Sequence, residues 1–337
     1  MTADVVDFTN LWTLLLGLGV VLYVLLDGFD LGVGMIFGLA PHADWRTTIM
    51  NSIAPVWDGN ETWLVLGGLA LFAAFPLAFA IIIPAVYFPL TLMLLGLVFR
   101  GVAFEYRLRG TGRMRFWDYG FCLGSAVATF AQGVVLGAFI QGFEVEGRAF
   151  AGGTFDCFTP FSVMTGLALM AGYGLLGAGW LIIKTENALQ DWSRNIARRC
   201  LLGSAAGLAL VSVWTPLGHP AIAERWFAWP DMLALAPLPA GAACSVLFCW
   251  RSLRNRSEHG PFISAVLLFL FAYLGVAASL WPMIAPPQIS LSEAAASPST
   301  QAFLLVGALF LLPIIGVYTA WSYWVFRGKV RGDIGYH

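Results

Sequence analysis

The stretch Ala54-Pro55-Val56-Trp57-Asp58-Gly59-Asn60-Glu61-Thr62-Trp63 opens a long apolar run from Leu64 to Ile83. It sets two carboxylates at the head of sequence that is otherwise fit for lipid. Asp58 and Glu61 stand three apart, so a helix places them on a shared face. Trp57 with Glu61, and Asp58 with Thr62, are i,i+4 neighbours. An ionised side chain within a bilayer is costly unless it faces protein or water, and such residues mark ion or proton paths. The reading is therefore a membrane-spanning helix that carries an acidic cluster.

The rest of the chain agrees. Of its 337 residues 59% are hydrophobic and 11% charged, with a mean hydropathy of +0.79, whereas soluble domains are about 25% charged. The fold class is all-α, a polytopic membrane protein surrounded by lipid, and a net charge of −1 offers nothing to nucleic acid. Apolar runs long enough to span fall at 11–39, 57–77, 79–103, 117–142, 160–183, 200–217, 232–250, 262–284 and 302–326, nine in all. Together they predict a single integral membrane domain over 1–337, with the acids in the four helices of 11–142 and mainly apolar packing in the five of 160–326. The tight connection at 76–84 contains Pro76 and Pro84, which predicts that the second and third spans are antiparallel neighbours. Met1 to Thr9 carries Asp4 and Asp7 instead of a basic leader, so the first span is expected to be retained. With the N-terminus periplasmic and the C-terminus cytoplasmic, sixteen of the eighteen Lys and Arg residues fall inside, leaving only Arg148 and Arg225 outside.

That topology places Asp27 and Asp30 toward the cytoplasmic end of span one. Asp58 and Glu61 then begin span two, and Arg100 and Glu105 finish span three on the same side. Five carboxylates and one arginine are expected at a similar depth. Arg100 neutralises one acid, and the surplus points to proton or cation handling; an ion-pair network that only pins helices is the plainer alternative. The later spans offer Gln132 and Gln141 as polar exceptions, and Trp226, Trp229, Trp281, Trp321 and Trp324 as an interfacial belt. Gly172-Tyr-Gly174-Leu-Leu-Gly177 fits G-x-G-x-x-G but lies inside an apolar span, where close packing is the better explanation. Gly28 with Gly32, Gly34 with Gly38, and Gly133 with Gly137 suit close packing too, against this chain or another. The histidines His42, His219, His259 and His337 fall in loops or at the terminus, and no ligand set for a metal emerges. If redox chemistry is involved, its metal centre is expected on a partner.

Three motifs carry a family resemblance. They are Tyr23-Val-Leu-Leu-Asp27-Gly28-Phe29-Asp30-Leu-Gly32, the opening stretch 54–63, and Phe99-Arg100-Gly101-Val-Ala-Phe104-Glu105, with weaker echoes at Gly133, Ser279-Leu-Trp281-Pro282 and Tyr323-Trp-Val-Phe326-Arg327-Gly328-Lys329-Val330. In these the chain resembles subunit II of the cytochrome bd quinol oxidases, a likeness that takes in the cyanide-insensitive branch without fixing the response to cyanide. The resemblance implies a heterodimer with a larger subunit I of similar fold in the bacterial inner membrane. That partner holds the haem b and haem d type centres and the quinol site, and reduces dioxygen to water. No catalytic residue is expected in this chain. Asp58 would lie on a proton route from the cytoplasm, with Glu61 beside it and Trp63, Arg100 and Glu105 at its entrance. Trp57 would pack alongside, and Asp27 and Asp30 would support the network. The resemblance leaves open a structural quinone against this subunit and small single-helix accessory subunits. Two other readings also stay open: a proton- or cation-coupled secondary transporter, and a purely structural membrane subunit.

Overall fold

The computed structural model describes residues 7–108 and 114–330. Asp4, Arg109, Arg113, Arg331 and His337, on which parts of the sequence reading rest, lie outside the described residues. The order is α1 (Phe8–Phe37), α2 (Ala43–Asn51), α3 (Trp57–Ala74), α4 (Pro76–Ala85), α5 (Tyr87–Leu108) and α6 (Met114–Gln141). A hairpin of β1 (Val145–Glu146) and β2 (Ala149–Phe150) precedes α7 (Pro160–Lys184), α8 (Asn187–Gly218), α9 (Pro220–Phe227), α10 (Asp231–Leu235), α11 (Pro237–Arg254) and α12 (Gly260–Leu280). A second hairpin, β3 (Met283–Ala285) with β4 (Ile289–Ser290), leads through α13 (Leu291–Ala294) to α14 (Pro298–Val325).

Among the described residues eight helices are long and apolar enough to cross a membrane, α10 and α11 counting as one. The remaining expected span is α3, whose 18 residues begin with the polar turn from Trp57. The bundle is thus an all-α, multi-pass membrane fold. The second and third spans differ from expectation in their connection. Pro76, which lacks an N–H, starts a separate helix α4 after Phe75, and α5 begins at Tyr87 rather than near 79. This ten-residue helix lets the two spans diverge. α3 packs chiefly on α1 and α5 chiefly on α6. α8 also starts earlier than expected, because Asn187–Arg199 continues the apolar helix as an amphipathic extension.

The small-residue pairs all find partners inside this chain. A Cβ at Gly28 would meet the Tyr173 ring, and one at Gly32 would overlap the Tyr173 carbonyl. Gly34 and Gly38 face Ser125 and Cys122, and Gly133 and Gly137 face Gly166 and Ser162. α1 and α7 therefore touch backbone to backbone, which is what small residues permit in lipid, where apolar burial drives no association. Gly172, Gly174 and Gly177 likewise pack on Phe269, Cys200 and Gly32, so the glycine-rich motif is a helix seam. Gly32→Val is expected to force α1 off α7 and destabilise the protein by about 2–3 kcal/mol. Thermal unfolding of the purified variant checks this, and an unchanged transition would contradict the backbone contact.

The two ends of the bundle differ. One gathers most of the described basic residues: Arg46 and Arg107 share Asp118, at 3.2 and 2.5 Å. There Lys184 donates to the carbonyls of Phe326 and Gly328, and Lys329 pairs with Glu258 at 2.9 Å. Hydrogen bonds from Lys329 and Gln190 hold the Glu258 carboxyl below the usual range. The opposite end carries both hairpins, α4 and α13. α14 is the most peripheral span, and Gln301 is its only buried residue among those described. Polar bonds fasten it at each end. Trp12 donates to the Gln301 carbonyl (3.0 Å) at the hairpin end, and Tyr323 to Asn60 (3.0 Å) and Ser322 to the Pro55 carbonyl (3.2 Å) at the basic end.

Candidate functional site

Toward the basic end, α1 turns one face into the bundle. Tyr23, Asp27 and Asp30 follow each other at helical spacing and all are buried, the two acids completely. Across from them α5 presents Arg100, also 0% exposed. α5 and α6 meet backbone to backbone at Gly96 and Gly124, and the arginine side chain leaves that seam to reach the acids. Its Nη1 donates to Asp27 Oδ1 at 2.7 Å, while Nη2 lies 3.3 Å from Glu61 Oε1 on α3. The second pairing is an ion contact without hydrogen-bond alignment, since both atoms remain unpartnered. The guanidinium also sits 5.7 Å over the Trp57 ring, which packs on Phe104 at 5.1 Å.

Asp30 is held differently. Its Oδ2 accepts from Asn60 Nδ2 at 2.7 Å, and the same nitrogen reaches the Leu26 carbonyl at 3.3 Å. Asn60 Oδ1 in turn accepts from Tyr323 of α14. Asn60 thus ties α1, α3 and α14 together beside the charged pair. A second chain leaves the cluster inward: Gln132 Nε2 donates to the Tyr23 hydroxyl at 2.7 Å, and Tyr173 donates to Gln132 Oε1 at 2.9 Å.

The charge arithmetic decides what this can do. One guanidinium faces Asp27 and Glu61 directly, with Asp30 in its field, so a neutral cluster keeps protons on the acids left over. A buried group of this kind can take up and release a proton without a bare charge being stranded. Asp27 Oδ2, Asp30 Oδ1, Glu61 Oε1, Trp63 Nε1 and Arg100 Nε find no partner within the protein. Buried polar atoms are ordinarily satisfied by water, which makes this a place for a short hydrated path.

The residues named from sequence separate into two layers. Asp27, Asp30, Glu61 and Arg100 come together, with Trp57 against the guanidinium; Trp63 is buried further along α3 with no contact to them established. Asp58 and Glu105 are exposed and stand outside the buried cluster. Asp58 lies in the first turn of α3 and is exposed there. Glu61 sits one turn deeper. Nor does Arg100 serve one acid alone; its planar fork spans two. The polar chemistry also extends beyond the first third of the chain, because Gln132, Tyr173 and Tyr323 arrive from α6, α7 and α14. Tyr23, four residues before Asp27, and Gln132, a lone amide in an apolar span, left a signal in the sequence. Tyr323 and Asn60 stood in the motifs that carry the resemblance and Tyr173 in the glycine-rich seam, without a polar role being assigned to any of them.

Comparison with known proteins gives a consistent set of matches. The profile of the family described as Cytochrome bd terminal oxidase subunit II matches residues 8–326. Cytochrome bd-I ubiquinol oxidase subunit 2 of Escherichia coli (strain K12) is 29% identical over 360 residues, covering 96% of this chain and 95% of that one. Cytochrome bd ubiquinol oxidase subunit 2 of Bacillus subtilis (strain 168) is 26% identical, covering 95% and 96%. Among solved structures, the bd oxidase from Geobacillus thermodenitrificans superposes with a TM-score of 0.75 at 18% identity, over 95% of this chain and 99% of that one, a likeness of fold.

Proposed function

Because the chain belongs to the cytochrome bd terminal oxidase subunit II family, we propose that it pairs with a haem-bearing subunit I and gives the complex its cytoplasmic proton-uptake route. The complex is a quinol:oxygen oxidoreductase of the respiratory chain in the bacterial cytoplasmic membrane, with quinol, dioxygen and protons as substrates. Family membership favours this reading over a secondary transporter. The observation that carries the proton route is the buried Arg100, shared by Asp27 and Glu61 with Asp30 beside it, one turn behind the exposed Asp58.

Among the described residues no histidine stands within a helix where it could serve as an axial haem ligand. The described histidines His42, His219 and His259 sit in loops, and the α1–α7 seam is closed at the backbone, so no slot between them receives a macrocycle. The proposal accordingly gives the b- and d-type haems to the partner, where they would supply electron transfer and dioxygen reduction.

The steps assigned to this chain are proton steps. The proposal sets the basic end toward the cytoplasm, an orientation that the excess of Arg and Lys there supports. Asp58 and Glu105, exposed at that end, collect a proton from bulk water. Glu61 receives it next to Arg100, whose charge is shared with Asp27, and passes it toward the partner. Uptake on this side, with quinol releasing its protons on the other, builds a membrane potential without pumping. Purification of the tagged chain in mild detergent tests the assignment. A co-eluting second protein with b- and d-type bands in the reduced-minus-oxidised spectrum is expected. A colourless chain eluting alone, from cells that make subunit I, would overturn it.

A further inference from the structure

The last turn of α14 reaches the acidic cluster through hydrogen bonds whose donors and acceptors are fixed atom by atom. The Leu26 carbonyl can only accept, so the Asn60 amide must turn its nitrogen toward α1, where Nδ2 also donates to Asp30 Oδ2 at 2.7 Å. Asn60 Oδ1 is then left facing α14, and the Tyr323 hydroxyl donates to it at 3.0 Å. Asp30 Oδ2 accepts its bond with the acid neutral or ionised. Asp30 Oδ1 is buried and has no partner within the protein, so it is the oxygen left for a proton or a water. Charged neighbours come from three helices: Asp27 one turn earlier on α1, Glu61 on α3 and Arg100 on α5. Among the described residues none of these bonds Asp30, so Asn60 alone orients its carboxyl.

Tyr323 is seated by α7. The one described residue that α14 buries is Gln301, at its far end, so burial along the helix does little to fix this turn. The Tyr323 ring instead meets Trp180 and Phe29 edge-on, at 6.0 and 6.4 Å, and those two rings stack at 4.4 Å. Trp180 is anchored through Nε1, which donates to the Ser52 carbonyl at 3.2 Å. Lys184, one turn further along α7, is buried over the Trp180 ring at 4.7 Å. Its ammonium donates to the carbonyls of Phe326 and Gly328, and the Val330 N–H returns to the Lys184 carbonyl at 2.9 Å. The chain is thus clasped just past the turn that carries Tyr323. We propose that Tyr323 and Asn60, seated by Lys184, are positioning residues that commit Asp30 to exchange through Oδ1. The proposal rests on the proton-route reading and adds to it a helix that the route does not cross.

The test uses the complete oxidase, with its haem spectrum confirming assembly. Tyr323→Phe keeps the ring in its seat and deletes one hydroxyl. Turnover in this variant is expected to fall about threefold or more, the size of one lost hydrogen bond, with KM for quinol unchanged and the pH profile displaced. Lys184→Met should reproduce that pattern, whereas Lys184→Arg, which still donates to carbonyls, should return turnover toward wild type. The variant with both Tyr323→Phe and Lys184→Met should match the larger single effect and not the sum, because both act through Asn60. If Lys184→Met does not assemble, Tyr323→Phe decides the matter alone. A role in stability only would lower the unfolding temperature of Tyr323→Phe and leave its kcat, KM and pH profile as in wild type, and that result would overturn the proposal. Summed effects in the double variant would overturn the link from Lys184 to Tyr323. Glu61→Gln, measured in parallel, separates the two levels. Impaired uptake there with a normal Tyr323→Phe refutes the positioning role alone, whereas normal uptake in Glu61→Gln removes the route on which it rests.

Discussion

Arg100→Leu should leave the oxidase assembled poorly or not at all, and any complex that survives should turn over at least about 100-fold more slowly. The arginine is fully buried and bonds Asp27 at 2.7 Å while facing Glu61 at 3.3 Å. Removing it strands acidic groups in a site that no longer has a cation. Breaking a buried pair in this way costs about 3–5 kcal/mol. Cluster neutrality can then be restored only by protonating every acid, which ends exchange. Arg100→Lys is the informative companion. An ammonium is a point charge without the fork that reaches two carboxyls, so it should preserve Asp27 and lose Glu61. Assembly should recover in that variant while turnover stays about tenfold down. Thermal unfolding and oxygen consumption of both complexes check the pair of results. Wild-type turnover in Arg100→Leu would show that the cluster is not on the route.

Much of this arrangement was legible beforehand, and the failures have identifiable causes. Composition and apolar runs gave the all-α membrane fold, because a bilayer demands about 20 apolar residues per crossing. Asp27, Asp30, Glu61 and Arg100 announced themselves as charges where lipid tolerates few. What the pattern could not show was the direction in which each side chain points. Asp58 and Glu61 looked like partners at i,i+3, yet the helix begins at Trp57, and the first-turn acid faces outward while the next turn faces in. Hydropathy also could not separate Tyr173 or Tyr323 from ordinary packing aromatics. Their hydroxyls matter because distant helices, α7 and α14, bring them to Gln132 and Asn60. The separate helix α4 between the second and third spans came from Pro76, visible in the sequence but read as a tight turn instead of a new helix start. The small-residue pairs announced close approach without naming the neighbour, and only the fold assigns them to α6 and α7 of this same chain.

Asp58→Asn carries the second large effect. The side chain is exposed in the first turn of α3, so the change removes no buried contact and should leave folding, partner binding and haem spectrum intact. It replaces a group that gains and loses a proton with one that cannot. Positioned acid–base groups contribute about 100-fold or more to proton transfer, and a redundant entrance acid such as Glu105 would soften the loss. Turnover is therefore expected to fall about tenfold or more in Asp58→Asn, and further in the variant that also carries Glu105→Gln.

The central claim is that protons for dioxygen reduction enter through this subunit. The most direct measurement places the wild-type and Asp58→Asn complexes in proteoliposomes of known orientation, with a pH-sensitive dye on the side of the basic end. Proton uptake is followed there as quinol is oxidised. Fast alkalinisation on that side in wild type, slowed about tenfold in Asp58→Asn in step with oxygen consumption, is the predicted result. Unchanged uptake in Asp58→Asn, or uptake from the opposite side, would contradict the account.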